Sequence, residues 1–228
     1  MSSALPRPRP WEVPRTSASI QNAAVSFDLT PGTHWSLGRA RHRFFDSLVA
    51  YLVSVASIGA TLGAQARTSA GNWEPSESFV LNGTGRIGDI GLVFHPHSVM
   101  NRIAEQRWPE AVTFLVESIR PEARTIWDEK DGPNVEGMLL RGAFVQYFES
   151  VRNQTGIDAT SDSWRFGRIV RNAFVHDGRI RIDDPQATPA SWRGITYGPR
   201  DNGRQILGLD IAAVEVVLLM RDMDEVGR

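Results

Sequence analysis

Arg171-Asn172-Ala173-Phe174-Val175-His176 sets a guanidinium, a carboxamide and an imidazole within six residues of one another. An imidazole titrates near neutrality, so it can take a proton in one step and return it in the next. A guanidinium is a planar, permanent cation whose parallel N–H groups suit phosphate oxygens. Arg165, Arg168, Arg179 and Arg181 surround the segment, and Asp177 is the one acid between residues 163 and 182. Five arginines against one acid give this stretch a local charge of +4. The whole chain has a formal net charge of −1, so a basic patch is hidden inside a neutral total. Phosphate is the usual target of such a patch.

The pattern around the segment is helical. At 100° per residue, Phe166, Ile169, Val170, Ala173 and Phe174 gather on one side, as a core face should. Arg168, Asn172 and His176 follow one another at steps of four on the opposite, outward stripe. Arg165 joins that stripe, and Arg171, Trp164 and Val175 lie at its edge, Trp164 and Val175 being candidate contacts for a second copy. Ser163 is the expected N-cap and Asp177-Gly178 the expected end. A histidine at a helix C-terminus is favourable by charge alone, so a capping role accounts for His176 equally well in isolation.

Other chemistries fit the chain less well. It has no cysteine, which excludes disulfides, thiolate metal sites and thiol nucleophiles. Gly83-Thr84-Gly85-Arg86-Ile87-Gly88 matches a dinucleotide-binding pattern, with Asp89 behind it. That motif works only where a helix begins just after the last glycine. Here Asp89-Ile90-Gly91-Leu92 leads into Pro96, so a loop is expected. His95-Pro96-His97 offers two imidazoles but no third ligand at metal spacing, and no metal or other cofactor is expected.

The elements that must carry the segment read as mainly helical. Residues 36–66 form one long expected helix, with Gly59 as its candidate break. It includes twenty uncharged residues between Asp46 and Arg67, long enough to span a bilayer. Ser47, Ser54, Ser57, Thr61, Gln65, Gly59 and Gly63 favour a buried helix over a membrane span. Residues 67–97 read as an irregular connection with room for one hairpin. Helices are expected from Ser98 to about Arg107 and again after Pro109, the second with Val112, Leu115, Val116 and Ile119 at core spacing. Pro121 opens a further short piece, and Asn134 is placed to cap a helix whose Leu140, Phe144, Tyr147 and Val151 share a face. Residues 179–208 read as a hairpin, with Ile195-Thr196-Tyr197 and Gln205-Ile206-Leu207 around Pro199-Arg200-Asp201-Asn202-Gly203. Asp210 is the expected cap of a last helix carrying Ile211, Val214, Val217 and Leu218. Residues 1–16, rich in Pro and Arg, read as a disordered tail without a secretory signature. Residues 17–226 are then one helical domain, and a cytoplasmic protein is the expectation.

Arg171-Asn172-Ala173-Phe174-Val175-His176 resembles the signature of the HEPN superfamily, which is Arg, four to six residues, then His, often with a polar residue after the Arg. Asn172 fills the polar place. The resemblance is close over this motif and loose over residues 97–226. It implies an all-helical bundle, here with the 179–208 hairpin inserted before the last helix. It also implies a metal-independent endoribonuclease, active as a homodimer in which two motifs share one cleft. Arg171, Asn172 and His176 would be catalytic, and Arg165, Arg168, Arg179 and Arg181 would bind the RNA. A toxin or defence role and a neutralising antitoxin are further implications. Two alternatives stay open: a non-catalytic HEPN-like module for RNA, nucleotide or dimer binding, and an interaction protein. In the latter, the arginines would pair with Asp210, Glu215, Asp222, Asp224 and Glu225 in and before the last helix.

Overall fold

The computed structural model describes residues 29–66, 78–84, 87–119 and 135–226. The expected tail at residues 1–16, the piece opened by Pro121 and the cap at Asn134 lie outside them, as does much of the 67–97 connection.

A four-stranded antiparallel sheet overturns the expectation of a helical bundle. Its strands are β1 (His34–Gly38), β2 (Phe79–Asn82), β3 (Ile90–Phe94) and β4 (Ala111–Ser118), in the order β1-β4-β3-β2. The segment after Pro109, expected as a helix, is the central strand β4. Its apolar residues fit two periods at once. Val112, Leu115, Val116 and Ile119 match a helical stripe, whereas Val112, Phe114 and Val116 alternate. The alternation decides, because Val112, Phe114 and Val116 are buried while Ala111, Thr113 and Glu117 face solvent. Branched side chains add to this, since they pack well on a pleated surface and lose freedom in a helix. Phe114 stands opposite Trp35 on β1 and Phe94 on β3, so neighbours on both sides complete its burial. Residues 34–38, part of which was expected within the first helix, form β1 instead.

Five α-helices complete the described chain: α1 (Phe45–Ala66), α2 (His97–Ala104), α3 (Val135–Val151), α4 (Asp162–Val175) and α5 (Ala213–Glu225). The uncharged run belongs to α1. Phe45, Leu48, Val49, Leu52 and Ala56 are buried there, at helical spacing, against the core. Among the described residues no helix is long and apolar enough to cross a membrane. Helix α3 packs on α1, α4 and α5, and one core cluster joins these helices to the sheet. Tyr51 on α1 donates to Glu136 on α3 at 3.1 Å. Burial first and the Glu136 charge second push the Tyr51 phenol well above its ordinary range.

The expected hairpin forms with different partners. Ile195–Tyr197 is β6, and it pairs with β5 (Ala190–Trp192), not with residues 205–207. Arg193 and Gly194 make the two-residue turn with φ of 45° and 78°, the left-handed pair that matches strand twist in a tight hairpin. Phe166 of α4 stacks on Tyr197 at 5.1 Å and lies 5.6 Å from Trp192, which fastens the hairpin to that helix. Residues 199–201 form a short 3-10 turn instead of the hairpin tip, closed by Asp201 accepting the Gly198 N–H at 2.9 Å.

Two caps also move. Ser161, not Ser163, caps α4 by accepting the Trp164 N–H. At α5 the N-cap position is Ala212, and Asp210 is instead buried against Tyr197 and Arg204.

Candidate nucleic-acid interface

Helix α4 divides its surface much as its periodicity requires. Phe166, Val170, Ala173 and Phe174 are buried, and Ile169 is half-buried. Arg168 and His176 are exposed, and Asn172 is half-buried between them. Trp164 departs from the expected ridge. It is fully buried, and its Nε1 donates to the Met223 carbonyl at 2.9 Å, so it offers no contact to a second copy. Val175 is 46% exposed.

The chain reverses directly after the helix. The Gly178 N–H bonds back to the Ala173 carbonyl, while Asp177 and Gly178 take φ of 54° and 77°. A Cβ on Gly178 would lie 2.7 Å from Gln205 Nε2, so only glycine suits this place on both counts. The chain then pairs with residues 203–206: Ile180 N–H to the Arg204 carbonyl, Gly203 N–H to the Ile180 carbonyl, and Ile206 N–H to the Gly178 carbonyl. This pairing is what the alternating Arg179-Ile180-Arg181-Ile182 run finds. Ile180 is buried, and Arg179 and Arg181 both face outward.

An open groove of about 390 Å³ results, lined by His176, Arg179, Ile180, Arg181, Asn202 and Gly203. It holds two guanidiniums, an imidazole and a carboxamide, and its lining has no carboxylate. Arg179 also donates to the Gly203 carbonyl at 3.4 Å, and Arg181 pairs with the exposed Asp183 at 3.2 Å. Asn202 accepts from the Ile182 N–H at 3.1 Å, so that turn is tied to the groove wall. Such a lining can grip phosphate and move a proton beside it.

The other expected residues lie around this groove rather than in its lining. Arg171 forms an ion pair with Glu149 of α3 and donates to Asn172 Oδ1 at 3.2 Å. Arg168 is exposed and has no ion pair with a described residue. Arg165 is turned away toward the loop before β5, donating to the Pro189 carbonyl at 2.9 Å and pairing with Asp162.

Glu149 and Asn202 were missed at the level of sequence. Glu149 sits on another helix, and only the packing of α3 on α4 brings it to Arg171. Asn202 was visible merely as a turn residue. The acids in and before the last helix are taken up elsewhere: Asp210 by Arg204, Asp222 by Arg193 and Arg221, Glu225 by Arg221, and Asp224 by Arg43. The arginines of α4 are thus not paired with that helix.

Gly83 and Thr84 follow β2, and the next strand is β3, so among the described residues no α-helix begins behind the motif to receive a dinucleotide. His97 contacts Asn101 at 3.1 Å, and among the described residues no group of three His, Asp or Glu could hold a metal ion. No family model matches the chain, and comparison with curated proteins and with solved structures gives no match either.

Proposed function

We propose that this protein is a metal-independent endoribonuclease that cleaves RNA by attack of a ribose 2′-hydroxyl. The observation that carries the reading is the groove in which exposed His176 stands with Arg179 and Arg181 and with no carboxylate in the lining. His176 takes the 2′-hydroxyl proton as the oxygen attacks phosphorus. Arg179 and Arg181 hold the phosphate and the charge that grows on its oxygens. The 5′-oxygen leaves with a proton from a protonated imidazole, giving a 2′,3′-cyclic phosphate and a 5′-hydroxyl. DNA lacks the nucleophile and would not be cut.

One chain brings one histidine to the groove, so the second imidazole comes from another copy, and the active species is a homodimer with a composite site. Arg171 and Asn172, in the last turns of α4, and His176, its C-cap, complete the catalytic set that the HEPN-like motif suggests; Arg165 and Arg168 extend the RNA path. The setting is cytoplasmic, and a toxin or defence enzyme with a neutralising antitoxin fits such an activity. The single histidine per groove also favours a second reading, in which the module binds RNA without turnover.

Purified protein incubated with RNA in EDTA should give cyclic-phosphate ends, and His176→Ala should remove them. Cleavage that persists undiminished in His176→Ala would overturn the enzymatic reading. Tight binding with no product at high protein concentration would favour the binding module.

A further inference from the structure

The two groove arginines are engaged before any ligand arrives. Arg179 donates to the Gly203 carbonyl at 3.4 Å, and Arg181 pairs with Asp183 at 3.2 Å. Asn202, in the same lining, differs from both. Its Oδ1 accepts the Ile182 N–H at 3.1 Å. That N–H belongs to the peptide joining Arg181 to Ile182, so the carboxamide lies against the main chain that carries Arg181. An N–H is met only by the oxygen end of an amide, which settles the orientation of Asn202 and leaves its NH₂ edge turned away from Ile182. Among the described residues nothing accepts from that edge. Asn202 is exposed, so water serves these donors until a ligand replaces it.

The backbone of the residue is held as well. Asn202 closes the 3-10 turn of residues 199–201 with its N–H on the Pro199 carbonyl, and the next N–H, of Gly203, meets the Ile180 carbonyl at 2.8 Å. What such a fixed amide recognises follows from its open end. Asparagine reads adenine with donor and acceptor together. Here the acceptor end is tied to the main chain, and a pair of neutral donors is what the groove is offered. The guanidiniums beside it carry donors only. A lining of donors suits a ligand of acceptors, and the non-bridging oxygens of a phosphodiester are acceptors only.

Resting on the ribonuclease reading, we infer that Asn202 is a further catalytic residue. Its Nδ2 donates to one non-bridging oxygen of the scissile phosphate and stabilises the charge that grows there. Arg179 and Arg181 share their donors with Gly203 and Asp183, whereas Asn202 gives up water.

The test uses the full chain with Asn202→Asp and Asn202→Ala. The first keeps an oxygen for the Ile182 N–H but adds a charge, and the second adds no charge but releases the tie. The lost Nδ2 donors are common to both. The substrates are two RNAs with one phosphorothioate at the cleaved linkage, sulfur replacing either non-bridging oxygen. Sulfur accepts hydrogen bonds poorly, so wild type should cut one diastereomer about tenfold more slowly than the other, less than a lost oxyanion donor costs in a closed site. In both variants cleavage of unmodified RNA should fall and that ratio should shrink toward one. A ratio unchanged in either variant, or absent in wild type, overturns the inference. In nitrogen-15 spectra of wild type, the Asn202 side-chain amide should shift on addition of a 2′-O-methyl oligonucleotide, which lacks the nucleophile and cannot be cut. An amide that stays in place overturns the inference whether or not the variants fold. Should wild type leave RNA intact, the ribonuclease reading fails by itself. The same amide then decides whether Asn202 holds phosphate: a shift with the 2′-O-methyl strand that inorganic phosphate reproduces supports the contact, and any other result rejects it.

Discussion

Along α5 and the loop before it, Asp210, Glu215, Asp222 and Asp224 each have a donor or cation from another part of the fold, while the half-exposed Glu225 pairs with Arg221 of the same helix. Asp210 meets Arg204 and the Tyr197 hydroxyl, and Glu215 accepts from the Thr84 N–H and hydroxyl and from the Ala212 N–H. Asp222 takes the Trp192 indole and Arg193, and Asp224 faces Arg43. At the C-terminal end of α4 the balance is reversed. There, arginines and a histidine outnumber acids, and the nearby acids, Asp177 and Asp183, are highly exposed. Burial separates the two regions. Asp210, Glu215, Asp222 and Asp224 in the first are largely removed from water and must be matched within the protein. Charges in the second keep water as a partner and can exchange it for a ligand. The first region holds the fold together, and the second is where a phosphate can enter.

The strongest way to break this contrast is Glu215→Ala. Glu215 is 1% exposed, and its loss strands the buried Thr84 donors, so stability should fall by about 3 kcal/mol in urea denaturation. An unchanged midpoint would remove α5 from the structural side. His176→Ala should do the opposite: RNA cleavage down at least about a hundredfold, with stability within about 0.5 kcal/mol of wild type. Asp210→Asn, which weakens the Arg204 and Tyr197 contacts, should cost about 1–2 kcal/mol and leave RNA binding alone. Arg179→Ala and Arg181→Ala should each reduce the slope of log affinity against log salt by about one, at nearly constant stability. A slope equal to wild type in both would place the RNA elsewhere.

The smallest effect concerns a pair far from the groove. The Tyr51 phenol, raised by burial and by Glu136, keeps its proton in the folded chain after the unfolded chain has released its own. Stability should therefore decline as pH rises through about 10, and Tyr51→Phe should flatten that part of the decline. A decline that is the same in both proteins would show that this pair contributes nothing to the alkaline limb.

What could be read beforehand follows from how local each signal is. The placement of Arg168 and Asn172 on one face depends on a single helix, so spacing alone predicted it, whereas His176, expected on the same stripe, falls just past the helix as its C-cap. The alternation that turns Arg179 and Arg181 outward is equally local. The sheet was harder, because residues 111–118 satisfy both periods and only pairing with β1 and β3 chooses between them. Glu149 meets Arg171 from another helix, and no spacing within either helix announces a contact between them. The hairpin partners failed for a similar reason. Gln205-Ile206-Leu207 has strand character, but the backbone it finds is residues 178–180, across a longer stretch of chain.

The turn at Asp177 and Gly178 has one more consequence. The imidazole and the two groove arginines lie within six residues, and the span between them is set by two left-handed backbone positions rather than by a flexible loop. The opening thus has a fixed gauge. A mutation of any lining side chain alters what the groove attracts, yet its width belongs to the main chain. Selection can retune the ligand without rebuilding the frame, whereas a change at Gly178 would alter the frame for every ligand at once.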